Sequence, residues 1–226
     1  MAPYFPFDDL GLSGNPFQSL LAEEWAQVAV LPEEVQAAWS QGGDLMVIGE
    51  KGRGKTTTLL GLARRAGEAG KRRAYERLPQ GRGQFLTSAT NLSVFFLDEA
   101  QRLNWRGKRQ LTAIRSQVQL VIGSHTDLSP VLSRAGRRAT TVLLDVLDHG
   151  QLAAILRRRL AYFSTEQPSR FQFADSAVTL LLESFGSDQR AMNGFLYEYF
   201  QRLPAPGVIE ATDLRPLASQ LTQFGP

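Results

Sequence analysis

Leu45-Met46-Val47-Ile48-Gly49-Glu50-Lys51-Gly52-Arg53-Gly54-Lys55-Thr56-Thr57 is the stretch on which the reading of this chain turns. An unbroken apolar run leads into a loop with glycines at 49, 52 and 54, and Lys55-Thr56 follows at once. This is the spacing of a phosphate-binding P-loop. Glycines let successive backbone N–H groups turn toward an anion without Cβ clashes. The helix expected to start near Gly54 points the positive end of its dipole at the same place. Lys55 would then reach the outer phosphates, and the Thr56 hydroxyl would ligate magnesium. The plainer alternative is a glycine-rich turn that carries a lysine. Leu59, Leu60, Leu62 and Ala63 have the spacing of a helix packed on a sheet, closed by Gly67 and Gly70.

Beyond this unit, Ala74–Arg77 reads as a short strand and Gly81–Asn91 as a loop. Val94-Phe95-Phe96-Leu97, Leu120-Val121-Ile122-Gly123 and Val142-Leu143-Leu144 read as further core strands, with a helix over Gln110–Val118. Continuous apolar runs suit parallel strands buried on both faces. Their alternation with helices predicts right-handed crossovers and an α/β, doubly wound parallel sheet. From His149 the pattern is helical only, with apolar stripes at Leu152–Phe163, Ala177–Phe185 and Met192–Phe200, and a short fourth helix over Leu214–Phe224. Asp175 and Asp188 are expected N-caps. The expected division is an N-terminal arm with a short Glu33–Trp39 helix (1–43), a P-loop core (44–148) and a small all-helical lid (149–226). Met1–Leu12 suits an irregular arm, and Asn15-Pro16-Phe17 a turn with an apolar anchor.

The chain has 226 residues, 43% of them hydrophobic, no cysteine, two histidines and a formal net charge of +3. Disulfides and thiolate metal sites are therefore excluded, and little is left for zinc. A general polyanion-coating protein is not implied, although the arginine clusters allow a local basic patch. No apolar run has the length of a membrane span and no leader opens the chain, so the cytoplasm is the expected location.

Asp98-Glu99 closes the Val94–Leu97 run. In a doubly wound sheet, ligands sit outside the carboxyl ends of the strands, which brings both acids toward the glycine loop. Asp98 would hold the magnesium shell, and Glu99 would orient and activate the attacking water. Taken with Gly49–Thr56, this ordering resembles the AAA+ ATPases. That resemblance implies a P-loop (AAA+) domain with a helical lid, ATP and Mg2+ as ligands, and ATP hydrolysis.

On the same resemblance, Gly49, Glu50, Lys51, Gly52, Arg53, Gly54, Lys55, Thr56 and Thr57 are the nucleotide-binding residues, with Thr56 and Asp98 at the metal. Lys55 and Glu99 are catalytic. Ser124 is the expected polar residue that touches the outer phosphate or the water, unless its hydroxyl only caps the next turn, and His125 is a substitute. Arg137, with Arg134 second and Arg138 third, would be an arginine finger serving the neighbouring subunit's nucleotide, or else a solvated cation. Arg190, in the first turn of a lid helix and off its apolar stripe, would be the lid's nucleotide-sensing arginine. Arg157 and Arg158 point away from their helix's stripe, toward solvent or nucleic acid. Arg159 falls inside it, and is expected to tie the lid to the sheet domain.

Within AAA+, Gly11–Phe17, Asp98-Glu99-Ala100-Gln101-Arg102-Leu103 and the lid spacings look most like the bacterial branch of transposition-regulator and type II secretion-associated ATPases. This implies self-association into a ring or filament, with DNA as the partner. The alternative is a nucleotide-gated scaffold acting on a protein partner with little turnover.

Overall fold

The computed structural model describes residues 7–203 and 205–222. Contacts divide the chain into two compact units, residues 22–145 and residues 1–21 with 146–226.

The first unit opens with α1 (Ala22–Val28) and α2 (Glu33–Gln41), the latter ended by Gly42. It continues through β1 (Asp44–Ile48), α3 (Lys55–Glu68), β2 (Arg73–Arg77) and β3 (Val94–Asp98). A one-turn 3-10 segment (Ala100–Arg102) leads to α4 (Trp105–Thr112), β4 (Gln119–Ser124), α5 (Ser129–Ser133) and β5 (Ala139–Leu143). The five strands form one sheet in the order β2-β3-β4-β1-β5. Every pairing is parallel, and Ile48 stands opposite Ser124 while Arg77 stands opposite Asp98.

Strand residues alternate between two cores. Leu45, Val47, Val94, Phe96 and Val121 pack with residues of α2 and α3. Met46, Phe95, Leu97, Leu120 and Ile122 pack with Leu111 and Leu132 on the other face. Burial on both faces is why these strands read as unbroken apolar runs.

The helix expected over Gln110–Val118 instead spans Trp105–Thr112. Asn104 caps it, its Oδ1 accepting from the Gly107 N–H at 2.9 Å. The carbonyls of Ile114, Arg115 and Val118 do not continue a helical ladder, because all three accept from the Arg137 guanidinium.

The second unit holds α6 (His149–Phe163), α7 (Asp175–Phe185), α8 (Gln189–Phe200) and α9 (Ala211–Thr222). It is not purely helical as expected: β6 (Gln172–Phe173) and β7 (Val208–Ile209) form a short parallel pair. Asp188 caps α8 through the Arg190 and Ala191 N–H groups, whereas Asp175 is the first residue of α7 and not its cap. Phe224 of the expected last helix, and residues 1–6 of the expected arm, lie outside the described residues.

The N-terminal arm is divided between the units. Residues 22–43 belong with the sheet, whereas the described residues 7–21 belong with the helices. Asn15 makes the expected turn, its Oδ1 accepting from the Phe17 N–H at 2.9 Å, and its Nδ2 donates to the Tyr197 carbonyl at 2.9 Å. Phe17 packs on Phe200 with ring centroids 5.2 Å apart.

Arg159 corrects an expectation. Only 1% exposed, it donates to the carbonyls of Pro16 (2.7 Å) and Gln18 (2.9 Å) and lies over the Phe17 ring. It therefore ties α6 to the N-terminal segment of its own unit. Arg159→Ala strands the buried Pro16 carbonyl and the half-buried Gln18 carbonyl and is expected to cost about 2 kcal/mol of stability, read by chemical denaturation of the full chain.

Candidate nucleotide site

The glycine loop begins where β1 ends. Gly52 (φ 88°) and Gly54 (φ 83°) adopt left-handed backbone, which a side chain would strain. A Cβ on Gly49 would lie 2.9 Å from the Leu144 carbonyl, so the loop passes flush against the chain leaving β5. Lys55 is the first residue of α3 and 5% exposed. Its Nζ donates to the Gly49 and Glu50 carbonyls, each at 2.7 Å. Burial pulls its ammonium below the ordinary lysine range, opposed by the carboxylates of Glu99, Asp98 and Glu50. An ammonium is thus stored inside a glycine-lined bend. Arg53 donates to the Asp145 carbonyl at 2.8 Å, while Glu50 and Lys51 are exposed.

Asp98 is wholly buried at the end of β3. Its Oδ2 accepts from the Thr56 hydroxyl at 2.7 Å and the Tyr75 hydroxyl at 3.0 Å, and its Oδ1 from the Glu99 N–H at 2.9 Å. Burial, then the charge of Asp98, keep the Tyr75 hydroxyl protonated far above the ordinary phenol range. The carboxylate fits because β4 offers glycine beside it. A Cβ on Gly123 would sit 2.8 Å from Asp98 Oδ1 and 3.2 Å from Leu59 Cδ2. Gly123→Ala is therefore expected to destabilise the sheet unit by about 1–3 kcal/mol, measured by chemical denaturation.

Glu99 is the one non-glycine residue among those described with left-handed backbone (φ 60°). Such a conformation costs on the order of 1–3 kcal/mol and persists where the surroundings enforce it. Its carboxylate accepts from Gln101 Nε2 at 2.7 Å and pairs with Arg102 (3.0 Å) and Arg77 (3.4 Å), with His125 Nε2 3.9 Å away. Burial alone would raise its pKa, but Arg102, Gln101, Arg77 and His125 outweigh it and hold the group below the ordinary glutamate value.

Ser124 ends β4 fully buried, and its Oγ accepts from the Thr126 N–H at 3.1 Å while its carbonyl accepts from the Gly49 N–H at 3.3 Å. Sequence reasoning gives no site role to Tyr75, Arg77, Gln101 or Arg102, although the last two stand in the Asp98–Leu103 stretch that carries the family likeness. No local signal marks Tyr75 and Arg77, whose place beside the acids comes from the pairing of β2 with β3, Arg77 opposite Asp98.

Arg137 is corrected outright. It stands at the opposite, amino-terminal end of β1, 7% exposed, with Nε and Nη2 on the Asp44 carboxylate at 2.7 and 2.6 Å. All five of its N–H groups are engaged by Asp44 and the three carbonyls already described, so it has no donor left for a phosphate. Arg134, at the end of α5, and Arg138 are both exposed. Arg190 is exposed in the first turn of α8, in the second unit. Arg157 and Arg158 are exposed on α6.

The donor set fits a magnesium nucleotide. The Thr56 hydroxyl and the Asp98 carboxylate are hard oxygen ligands already in contact, and the buried Lys55 immediately precedes Thr56. Among the described residues no group of three or more histidine, aspartate or glutamate side chains could hold a metal, so a cation held by Thr56 and Asp98 would need further oxygens from outside the protein.

The sequence matches no protein-family model and no curated protein. Solved structures do resemble it. RuvB of Thermotoga maritima, a Holliday junction branch migration motor, aligns at a TM-score of 0.57 and 19% identity over 88% of this chain and 68% of that one. Domain III of the replication initiation protein DnaA from Thermotoga maritima aligns at 0.57 and 14% identity over 89% of this chain and 98% of that one. Replication initiator DnaA bound to AMPPCP and single-stranded DNA aligns at 0.52 and 16% identity over 75% of this chain and 60% of that one. At these identities the likeness is one of fold: the five-stranded parallel sheet has the architecture of the AAA+ P-loop domains of RuvB and DnaA. No helix among the described residues is long and apolar enough to cross a membrane.

Proposed function

We propose that this chain is a magnesium-dependent ATPase of the AAA+ kind that self-associates with nucleotide and acts on DNA. The observation that carries the reading is the buried Lys55 ammonium inside the glycine loop, with Thr56 bonded to Asp98 and Glu99 next to it. Gly49–Thr57 would cradle the phosphates and Lys55 would neutralise them. Thr56 and Asp98 would hold magnesium, which when bound screens the charge of the transferring phosphoryl group. Glu99 would align the attacking water and take its proton. Its left-handed backbone follows directly on the end of β3, and the donors around its carboxylate keep it ionised. Arg134 takes over the role first expected of Arg137, as the arginine offered to a neighbouring subunit, and Arg190 that of the nucleotide-sensing arginine.

DNA is the favoured partner because two fold neighbours are a branch migration motor and an initiator bound to single-stranded DNA. Transposition-type regulation is the finer form of this reading, supported by the likeness of Gly11–Phe17 and Asp98–Leu103 to that branch, and a cytoplasmic location goes with it. Phosphate release is the test. Near-zero rates in the parent protein, with and without DNA, would sink the enzyme reading. Arg134→Ala is expected to lower turnover on the order of a thousandfold without shifting the melting temperature, and mixing it with Glu99→Gln protein should restore activity.

A second reading is a nucleotide-gated scaffold or regulator of a protein partner. The grip of Arg77, Arg102 and Gln101 on Glu99 favours it, since a carboxylate so held is a weak base.

A further inference from the structure

We infer that the outer face of α4 is a platform for single-stranded nucleic acid, a step that rests on the DNA-acting reading above and names its substrate. Gly107 and Leu111 set the inward face of this helix. A Cβ on Gly107 would lie 2.1 Å from the Gly83 carbonyl, so the helix backbone is pressed onto the loop that follows β2. Gln110 also turns in, its Nε2 donating to the Phe85 carbonyl at 2.9 Å, whereas Trp105, Arg106 and Arg109 are turned out. Trp105 is 67% exposed, and the Arg106 guanidinium lies over its ring, 5.1 Å from the centroid. Arg109 is exposed and Lys108 half-buried beside them.

The charge around this indole is of one sign. From Ala100 to Thr126 the chain has no Asp or Glu, while Arg102, Arg106, Lys108, Arg109 and Arg115 all fall within it. Arg82 and Arg102 pair with Glu76 and Glu99. Among the described residues Arg106, Lys108 and Arg109 have no carboxylate within salt-bridge distance. An exposed indole offers a flat face on which another ring can stack. Here it carries Arg106 over its ring and shares its short helix with Lys108 and Arg109, three cations with no carboxylate partner among the described residues. A strand with unpaired bases satisfies both features at once: its phosphates take the cations and a base stacks on the indole. A duplex hides its base faces and leaves Trp105 without use. The platform joins the candidate site through a single turn, Ala100–Arg102, whose Gln101 and Arg102 hold Glu99.

The test uses the full chain with a non-hydrolysable ATP analogue and fluorescence anisotropy of a labelled oligothymidylate and of a duplex of equal length, across salt concentrations. The parent protein is expected to prefer the single strand. Trp105→Ala should weaken that binding on the order of tenfold and Trp105→Phe should keep most of it. A triple Arg106→Gln/Lys108→Gln/Arg109→Gln variant should flatten the salt slope by about two. Nucleotide affinity and melting temperature should be unchanged in all of them. Variants that bind the oligothymidylate as the parent does, or a parent that prefers duplex, overturn the platform and leave the DNA-acting reading standing. A parent that binds neither overturns both.

Discussion

Glu99→Gln is expected to bind ATP as tightly as the parent chain and to hydrolyse it at least about a hundredfold more slowly. A positioned general base contributes roughly 10²–10⁴ in rate, and the amide keeps the shape of the carboxylate while losing its ability to take a proton. Lys55→Ala, in contrast, should abolish nucleotide binding, because it removes the one cation buried in the glycine loop. Equilibrium titration with a fluorescent nucleotide, followed by single-turnover hydrolysis, separates the two. Loss of binding in both variants, or equal turnover in all three proteins, would leave Glu99 without the role assigned to it. The amide also cannot pair with Arg77 and Arg102 as an ion, so a modest fall in melting temperature is expected with it.

Arg137→Ala is expected to fail differently, by unfolding. It breaks a buried bidentate pair with Asp44, strands that carboxylate, and leaves the Ile114, Arg115 and Val118 carbonyls without their donor. Removing one partner of such a pair costs about 3–5 kcal/mol. In a chain of this size the melting temperature should drop on the order of 10 °C. Asp44 also accepts from the Leu120 N–H at 2.8 Å, so the damage reaches both β1 and β4. Combining Arg137→Ala with Asp44→Asn should cost less than the sum of the two single changes, because the charge left behind is gone. A normal melting curve with turnover rescued by subunit mixing would return Arg137 to the finger role.

The contrast between these two residues shows how far a linear reading reaches. Residues 45–57 and 94–99 carry their structure locally: apolar runs, glycines where the backbone must turn, and acids at a strand end. Each of those signals concerns neighbours within a few residues, which is the range over which patterning and backbone freedom act. The parallel sheet follows from the same alternation of strands and helices, so the fold class and the P-loop, with the acids at a strand end, were legible from the chain itself, although the strand order was not.

Arg137 and Arg159 could not be placed that way. Arg137 reads as a finger or a solvated cation and Arg159 as a tie to the sheet domain until their acceptors are known, and those acceptors lie far off in sequence: Asp44 for one, Pro16 and Gln18 for the other. The same holds for Tyr75 and Arg77, which meet the acids only because β2 pairs with β3 in a particular register. It holds too for Trp105, which read as part of no element until Asn104 capped a helix and Gly107 turned it outward. Composition and spacing on their own determined that this chain builds a parallel sheet around a glycine loop. Which cations are locked inside and which remain free to meet a phosphate was decided only by tertiary structure, because a charge's role is set by what stands within about 4 Å of it and not by what precedes it along the chain.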